Sequence, residues 1–244
     1  MRLTDTNLRE KDFHNKLHDS GEARSQNKYY KALYNLFEDF LSYLEKKTPN
    51  KNVLDFGCGN GVYAEKVVKF NPSQITAIDI SEKAIEIAKS KKLKKIEYIV
   101  ENCENTKLNS NNFDLIYGTG ILHHLNLKKS LTEIERLLKN KGSLIFIEPL
   151  GTNPFINLYR KFTPGARSKD EHQFTFSDIK YFENLFSKVN VNYYGFFTLL
   201  FLPLYKSPKN STLFDILKKM DKFFLKIPFF KFFAWAVLIE AKKS

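Results

Sequence analysis

Three glycines stand two residues apart in Asp55-Phe56-Gly57-Cys58-Gly59-Asn60-Gly61, after the apolar run Asn52–Phe56 and ahead of an amphipathic stretch. A strand that runs through such a turn into a helix lets a ligand approach the backbone and aims unpaired N–H groups at it. The dinucleotide fingerprint would need a third small residue at position 62, and that residue is Val62. Asp55 stands at the mouth of the loop, where a carboxylate repels a pyrophosphate and suits a ligand that carries an ammonium group. Asp79 ends the next apolar run and is placed for the two hydroxyls of a ribose.

A second group of polar residues follows the later runs. His123 and His124 come after the fourth, and Glu148 ends the fifth, as a base or as the orienter of an ammonium group. In Arg167-Ser168-Lys169-Asp170-Glu171-His172, His172 is a candidate general base oriented by Asp170 or Glu171, with a surface ion-pair cluster as the alternative. Arg160 and Arg167 suit an acidic acceptor or plain solvation. Cys58 and Cys103 read better as small buried residues than as nucleophiles. No zinc-spaced Cys/His cluster, Gly-x-Ser-x-Gly elbow or phosphate loop is present, and the sequence supports no metal.

The elements that must carry these residues alternate from about residue 51 to 149. Strands are expected at Asn52–Phe56, Gln74–Ile80, Ile96–Val100, Phe113–Tyr117 and Ser143–Glu148. Helices fall between them at Val62–Phe70, Glu82–Lys91 behind Ser81, and Lys128–Asn140 before Gly142. Such βαβ units make a parallel sheet with right-handed crossovers and helices on both faces. Residues 25–47 show a helical apolar face, whereas 1–24 are expected to order only with ligand. Residues 149–172 hold too many prolines and glycines for one regular element. A helix at Ser177–Phe186 and strands at Lys188–Leu199 and Ala236–Lys242 close the chain. We therefore expect an N-terminal helical lid over 1–48 and one α/β domain over 49–244, with an insert at 200–233.

The chain has 244 residues and a formal charge of +12. Lys outnumbers Arg 33 to 6, so the basic excess lacks the planar forks that read phosphates. A nucleic-acid partner is disfavoured on that ground. Two cysteines and a polar N-terminus give the expectation of a soluble, cytoplasmic protein.

The segments VLDFGCGNG (53–61), ITAIDIS (75–81), NNFDLIYGTGILHHL (111–125) and LLKNKGSLIFIEPLGTNP (137–154) together resemble the class I S-adenosylmethionine (SAM)-dependent methyltransferases, in their bacterial small-molecule branch. The resemblance implies a Rossmann-like, doubly wound seven-stranded sheet whose last strand pair is antiparallel. It also implies SAM as cofactor. Asp55, Gly57 and Gly59, with Cys58 between them, would hold its methionine end, and Asp79 its ribose. Ile80 would flank the adenine, and Asn102, where relatives carry Asp, would accept from the adenine amino group. The Cys103 backbone would face the ring, and Gly118 would line the crevice. Relatives commonly show a His at position 124, which makes His124 the leading catalytic candidate, with Glu148 and His172 beside it.

The implied activity is methyl transfer to a small or lipid-like metabolite, on oxygen first and on nitrogen or carbon next. An RNA methyltransferase and a non-catalytic SAM-binding or membrane-surface protein are the alternatives. Residues 196–233 contain ten of the 23 Phe, and Leu213, Ile216, Leu217, Met220, Phe224 and Ile227 fall at helical spacing among lysines. Such an insert suits core or homodimer packing, an acceptor pocket, or a peripheral membrane contact.

Overall fold

The computed structural model describes residues 3–19, 28–163, 168–204 and 207–244. Its centre is a seven-stranded sheet built from β1 (Asn52–Phe56), β2 (Gln74–Asp79), β3 (Ile96–Val100), β4 (Phe113–Thr119), β5 (Leu138–Pro149), β6 (Ser187–Tyr194) and β7 (Ala236–Lys242). The order is β3-β2-β1-β4-β5-β7-β6. The first five strands pair in parallel, and β7 lies antiparallel between β5 and β6. This is the Rossmann-like arrangement expected from the sequence, with its reversed strand.

Alternate residues of the central strands feed two cores. Leu54, Phe56, Leu144 and Phe146 face one side, where α5 (Leu127–Leu137) and α7 (Phe176–Leu185) add Leu131, Ile134, Ile179 and Phe182. Val53, Ile75 and Ile145 face the other, covered by α2 (Tyr34–Lys47), α3 (Val62–Val67) and α4 (Glu82–Ser90). Leu36, Phe40 and Leu44 sit at i, i+4 and i+8 of α2 and are fully buried, so this helix covers the sheet face. Each such side chain contributes roughly 1.5–3 kcal/mol of apolar burial.

Several elements differ from expectation. The strand expected over Lys188–Leu199 runs from Ser187 to Tyr194, where the chain turns at Gly195, φ +80°, into a 3-10 helix. The helix expected to reach Asn140 ends at Leu137, because Leu138 pairs with Phe113 and opens β5. The stretch 149–172 does contain a regular element, α6 (Pro154–Phe162). Pro154 stands at its first turn and the Asn153 side chain accepts from Phe155 N and Ile156 N, so the proline starts the helix instead of breaking it. Residues 5–19, expected to be unstructured without ligand, form helix α1 (Asp5–Asp19).

The insert is helical, with α8 (Thr212–Phe224) and α9 (Pro228–Lys231). Phe214 and Leu217 of α8 pack on Phe201 of the preceding 3-10 turn. The buried Asp221 carboxylate accepts from Phe197 N at 2.6 Å and the Thr198 hydroxyl at 2.8 Å, which pins α8 to that turn. Leu213, Ile216 and Phe223, on the other side of α8, are exposed. Among the described residues no helix is long and apolar enough to cross a membrane.

Candidate active site

The carboxyl ends of the parallel strands meet in one region, as in other open α/β sheets. After β1 the chain turns through Gly57, Gly59 and Gly61 with φ of +79°, +51° and +76°. At only one of the three would an added Cβ meet no clash. A Cβ at Gly57 would strike the Ile121 side chain and one at Gly61 the Tyr98 ring, whereas at Gly59 its nearest neighbour is the His18 ring at 3.9 Å. Gly57 and Gly61 are therefore required by packing, and Gly59 is where a ligand can approach. Gly118 is also a packing position, since a Cβ there would meet the Phe146 ring and the Phe56 carbonyl.

Two carboxylates flank the loop. Asp79 accepts from Gly59 N at 2.8 Å and from Ser81 N at 2.9 Å, so each oxygen keeps a lone pair for a further donor. Asp55 is buried, and its carboxylate accepts from the Tyr117 hydroxyl at 2.9 Å. Burial pushes the Asp55 carboxyl up to about 7, and the nearby Asp79 charge adds to that push against the Tyr117 bond. Neither carboxylate has an ion-pair partner among the described residues.

Beyond β3, the buried Asn102 accepts from Glu104 N at 2.9 Å and donates to Asn7 Oδ1 at 3.2 Å. Cys58 and Cys103 are buried, and burial raises both thiols well above their ordinary range, which suits inert lining residues. Ile80 is half-buried. After β4, the turn 121–124 is organised by Glu148. This fully buried carboxylate accepts from Ile121 N at 3.1 Å and Leu122 N at 2.9 Å, and it meets His123 Nδ1 at 2.7 Å. Burial pushes Glu148 up to about 7 against those donors. His172 is joined to this turn through its backbone, with its N–H on the His123 carbonyl at 3.0 Å. Asp170 pairs with Arg9 at 2.7 Å. Arg167 lies outside the described residues.

Helix α1 crosses all of these loops, and sequence reasoning missed it. Asn7 reaches Asn102, Glu10 faces His124, Asn15 accepts from the Ser81 hydroxyl at 2.6 Å, and His18 lies over Gly59. Asn7, Glu10 and His14 recur at i, i+3 and i+7, so one stripe of the helix faces inward. That stripe is polar, and a search for apolar periodicity passes over it. Its sequence signal is the pair Glu10 and His14 at i, i+4.

His124 is buried, with Nδ1 at 3.1 Å from Glu10 Oε2, and His14 Nε2 lies 3.6 Å from the same oxygen. Burial lowers the His124 pKa and keeps the ring neutral near pH 7. Burial also pushes the Glu10 carboxyl up, but His124, His14 and Ser168 outweigh it and hold the acid well below its usual range.

Residues 54–146 match a family model described as a methyltransferase domain. The chain therefore carries a SAM-dependent methyltransferase domain. A malonyl-[acyl-carrier protein] O-methyltransferase of Bacillus cytotoxicus is 32% identical over 69% of this chain and 59% of its own length. A ubiquinone biosynthesis O-methyltransferase of Pelagibacter ubique is 36% identical over 48% of this chain and 49% of its own. The methyltransferase domain and its flanks thus span about half to three fifths of these curated relatives. Among solved structures, a geranyl diphosphate C-methyltransferase of Streptomyces coelicolor superposes with a TM-score of 0.68 over 100% of both chains at 12% identity. A phosphoethanolamine N-methyltransferase 2 of Haemonchus contortus in complex with SAM gives 0.65 over 95% of this chain and 60% of its own, at 15% identity. At those identities the likeness is one of fold.

SAM, the family's cofactor, fits the residues present. It carries a sulfonium and an ammonium, and the loop offers two carboxylates that no basic side chain among the described residues balances.

Proposed function

We propose that this domain transfers the methyl group of SAM to a small or lipid-like acceptor, with oxygen the preferred acceptor atom. The observation that carries this reading is the pair of unbalanced carboxylates, Asp55 and Asp79, on either side of the one open loop glycine, Gly59. SAM supplies a methyl group activated on sulfonium sulfur. Displacement at such a methyl asks the protein chiefly for in-line positioning and exclusion of water. Asp79 would hold the ribose through its spare lone pairs, Asp55 the ammonium end, and Asn102 with the Cys103 backbone and Ile80 the adenine. Helix α1 shields the carboxyl edge of the sheet. A hydroxyl acceptor must lose a proton, and neutral His124 is placed to take it while Glu10 holds the imidazolium that results. Glu148 is a positioning residue that fixes the 121–124 turn and the His123 ring. His172 stands beside that turn as a second group for the acceptor. The reading keeps the expected cytoplasmic setting.

The test is calorimetric titration with SAM, with NADH alongside. Micromolar SAM binding is expected, with at least a ten-fold loss in Asp79→Ala and a smaller one in Asp79→Asn, which keeps an acceptor oxygen. A folded protein indifferent to millimolar SAM overturns the reading.

A peripheral membrane contact has one specific observation behind it. Phe155 and Phe162 of α6 and Phe229 of α9 are 65%, 77% and 65% exposed. The two helices adjoin, since the Phe233 ring contacts Phe155 at 6.4 Å and Phe229 at 5.6 Å. Lys161 belongs to α6 and Lys231 to α9, and Lys222 and Lys226 come shortly before α9 in sequence. Exposed apolar rings on segments that also carry lysines suit an anionic bilayer surface, which is the occupant we assign to this face. Co-sedimentation with phosphatidylglycerol vesicles is expected, weaker at high salt and at least ten-fold weaker in Phe155→Ser/Phe229→Ser. Equal sedimentation of that variant, or none of the wild type, would leave the face to dimer contact or to the acceptor.

A further inference from the structure

The polar stripe of α1 and the turn after β4 hold an arrangement that methyl transfer alone does not explain. Glu10 Oε2 and His124 Nδ1 are both buried, and neither has a hydrogen-bond partner. They lie 3.1 Å apart, yet the ring N–H is not aligned to donate along that contact. His14 Nε2 stands 3.6 Å from the same carboxylate oxygen. The three atoms all fall within 4.8 Å of one another. Two buried polar atoms that face one another without an aligned N–H between them are placed to bind a shared third party, at roughly 1–3 kcal/mol each if left unsatisfied.

We infer that Glu10, His14 and His124 form a binding site for a divalent transition-metal ion, zinc by preference. Donor types and spacing agree with this assignment. Zinc takes imidazole nitrogen and carboxylate oxygen at about 2.0–2.2 Å, so two ligands at the tetrahedral angle lie about 3.4 Å apart. The two measured separations, 3.1 and 3.6 Å, bracket that value. Glu10 and His14, four residues apart on α1, present their donors on one face of the helix. The other Glu10 oxygen accepts from the Ser168 hydroxyl, which fixes the carboxylate in the way outer partners orient metal ligands. Nitrogen and oxygen donors without cysteine suit zinc better than magnesium or calcium, which prefer all-oxygen shells.

Three protein ligands leave a fourth position for water or for an oxygen of the acceptor, the pattern of catalytic zinc sites. The ion would take over from His124 the task of making a hydroxyl acidic. It would also clamp α1 onto the loop after β4. The site rests on the α1–His124 geometry and not on methyl transfer, so metal binding and SAM binding can fail separately.

The experiment uses the full chain, stripped with chelator and dialysed, then titrated with Zn2+ alone and with Co2+ alone. About one zinc per chain is expected by elemental analysis, with a visible cobalt absorption typical of four ligands and slower hydrogen exchange in α1. His14→Gln, a substitution at a half-buried position, should weaken zinc by more than the roughly 10–100-fold typical of an outer partner. Ser168→Ala should fall within that 10–100-fold range. Circular dichroism checks that both variants fold. Absence of zinc binding in a folded wild type overturns the proposal. So does zinc bound equally by wild type and His14→Gln, which would place the ion elsewhere. Loss of zinc in His14→Gln with SAM binding unchanged supports it whatever the acceptor proves to be.

Discussion

Glu148→Ala is expected to lower stability by about 3–5 kcal/mol, because several buried donors lose their acceptor at once. The side chain is completely buried, and its two oxygens receive three backbone N–H groups, from Ile121, Leu122 and His123, and face a ring nitrogen. Alanine would remove the acceptor shared by Ile121 N, Leu122 N and His123 N, at roughly 1–3 kcal/mol apiece before relaxation. Glu148→Gln separates charge from shape. Its carbonyl oxygen can keep the Ile121 and Leu122 donors, while its amide NH2 meets His123 Nδ1, which must then accept, and only the long bond from His123 N is given up. The imidazole has a tautomer that does so, and the cost should stay under about 2 kcal/mol. Urea unfolding at pH 7 measures both. An alanine variant within 1 kcal/mol of wild type would mean that the 121–124 turn holds itself.

That turn also shows what the sequence can and cannot tell. Strand ends and the glycine loop are written locally: Asn52–Phe56 is an apolar run, and Gly57, Gly59 and Gly61 mark where the chain must turn. Asp55, Asp79, His124 and Glu148 were thus assignable to strand ends before any coordinates. Their partners were not. Glu148 meets His123 across 25 positions, and Glu10 meets His124 across 114. Helix α1 was invisible because its inward stripe is Asn7, Glu10 and His14, and helical periodicity is read from apolar residues. Leu138 failed differently, because it continues the spacing of Leu131, Ile134 and Leu137 and only its pairing with Phe113 claims it for β5. At Gly118 the requirement is the Phe146 ring, a neighbour from another strand. Local chemistry was legible, and tertiary partners were not.

Asp55→Asn should show opposite effects on fold and ligand. The free protein buries this carboxyl beside Tyr117 with no cation to balance it, and burial raises it from 3.8 to about 7. A folded-state pKa above the unfolded one means that this group favours folding below about pH 4. That contribution is lost as pH rises through 7, and at about 1.4 kcal/mol per unit it amounts to a few kcal/mol. Asparagine removes the penalty and keeps an oxygen for the Tyr117 hydroxyl. The variant should therefore melt higher than wild type at pH 8, with the difference shrinking steadily towards pH 4. For the ligand the sign reverses. An ammonium group favours the ionised acid, so wild-type affinity for SAM should rise from pH 6 to about 7.5. It should fall again as the ligand's own amine, with pKa near 8, loses its proton. Asp55→Asn should bind roughly 10–100-fold more weakly, without the acidic limb. S-adenosylhomocysteine has the ammonium and lacks the sulfonium, and it should show the same limb if Asp55 answers to the amine. Equal affinity in wild type and variant would reduce Asp55 to a brace for the glycine loop and leave Asp79 as the only carboxylate facing the ligand.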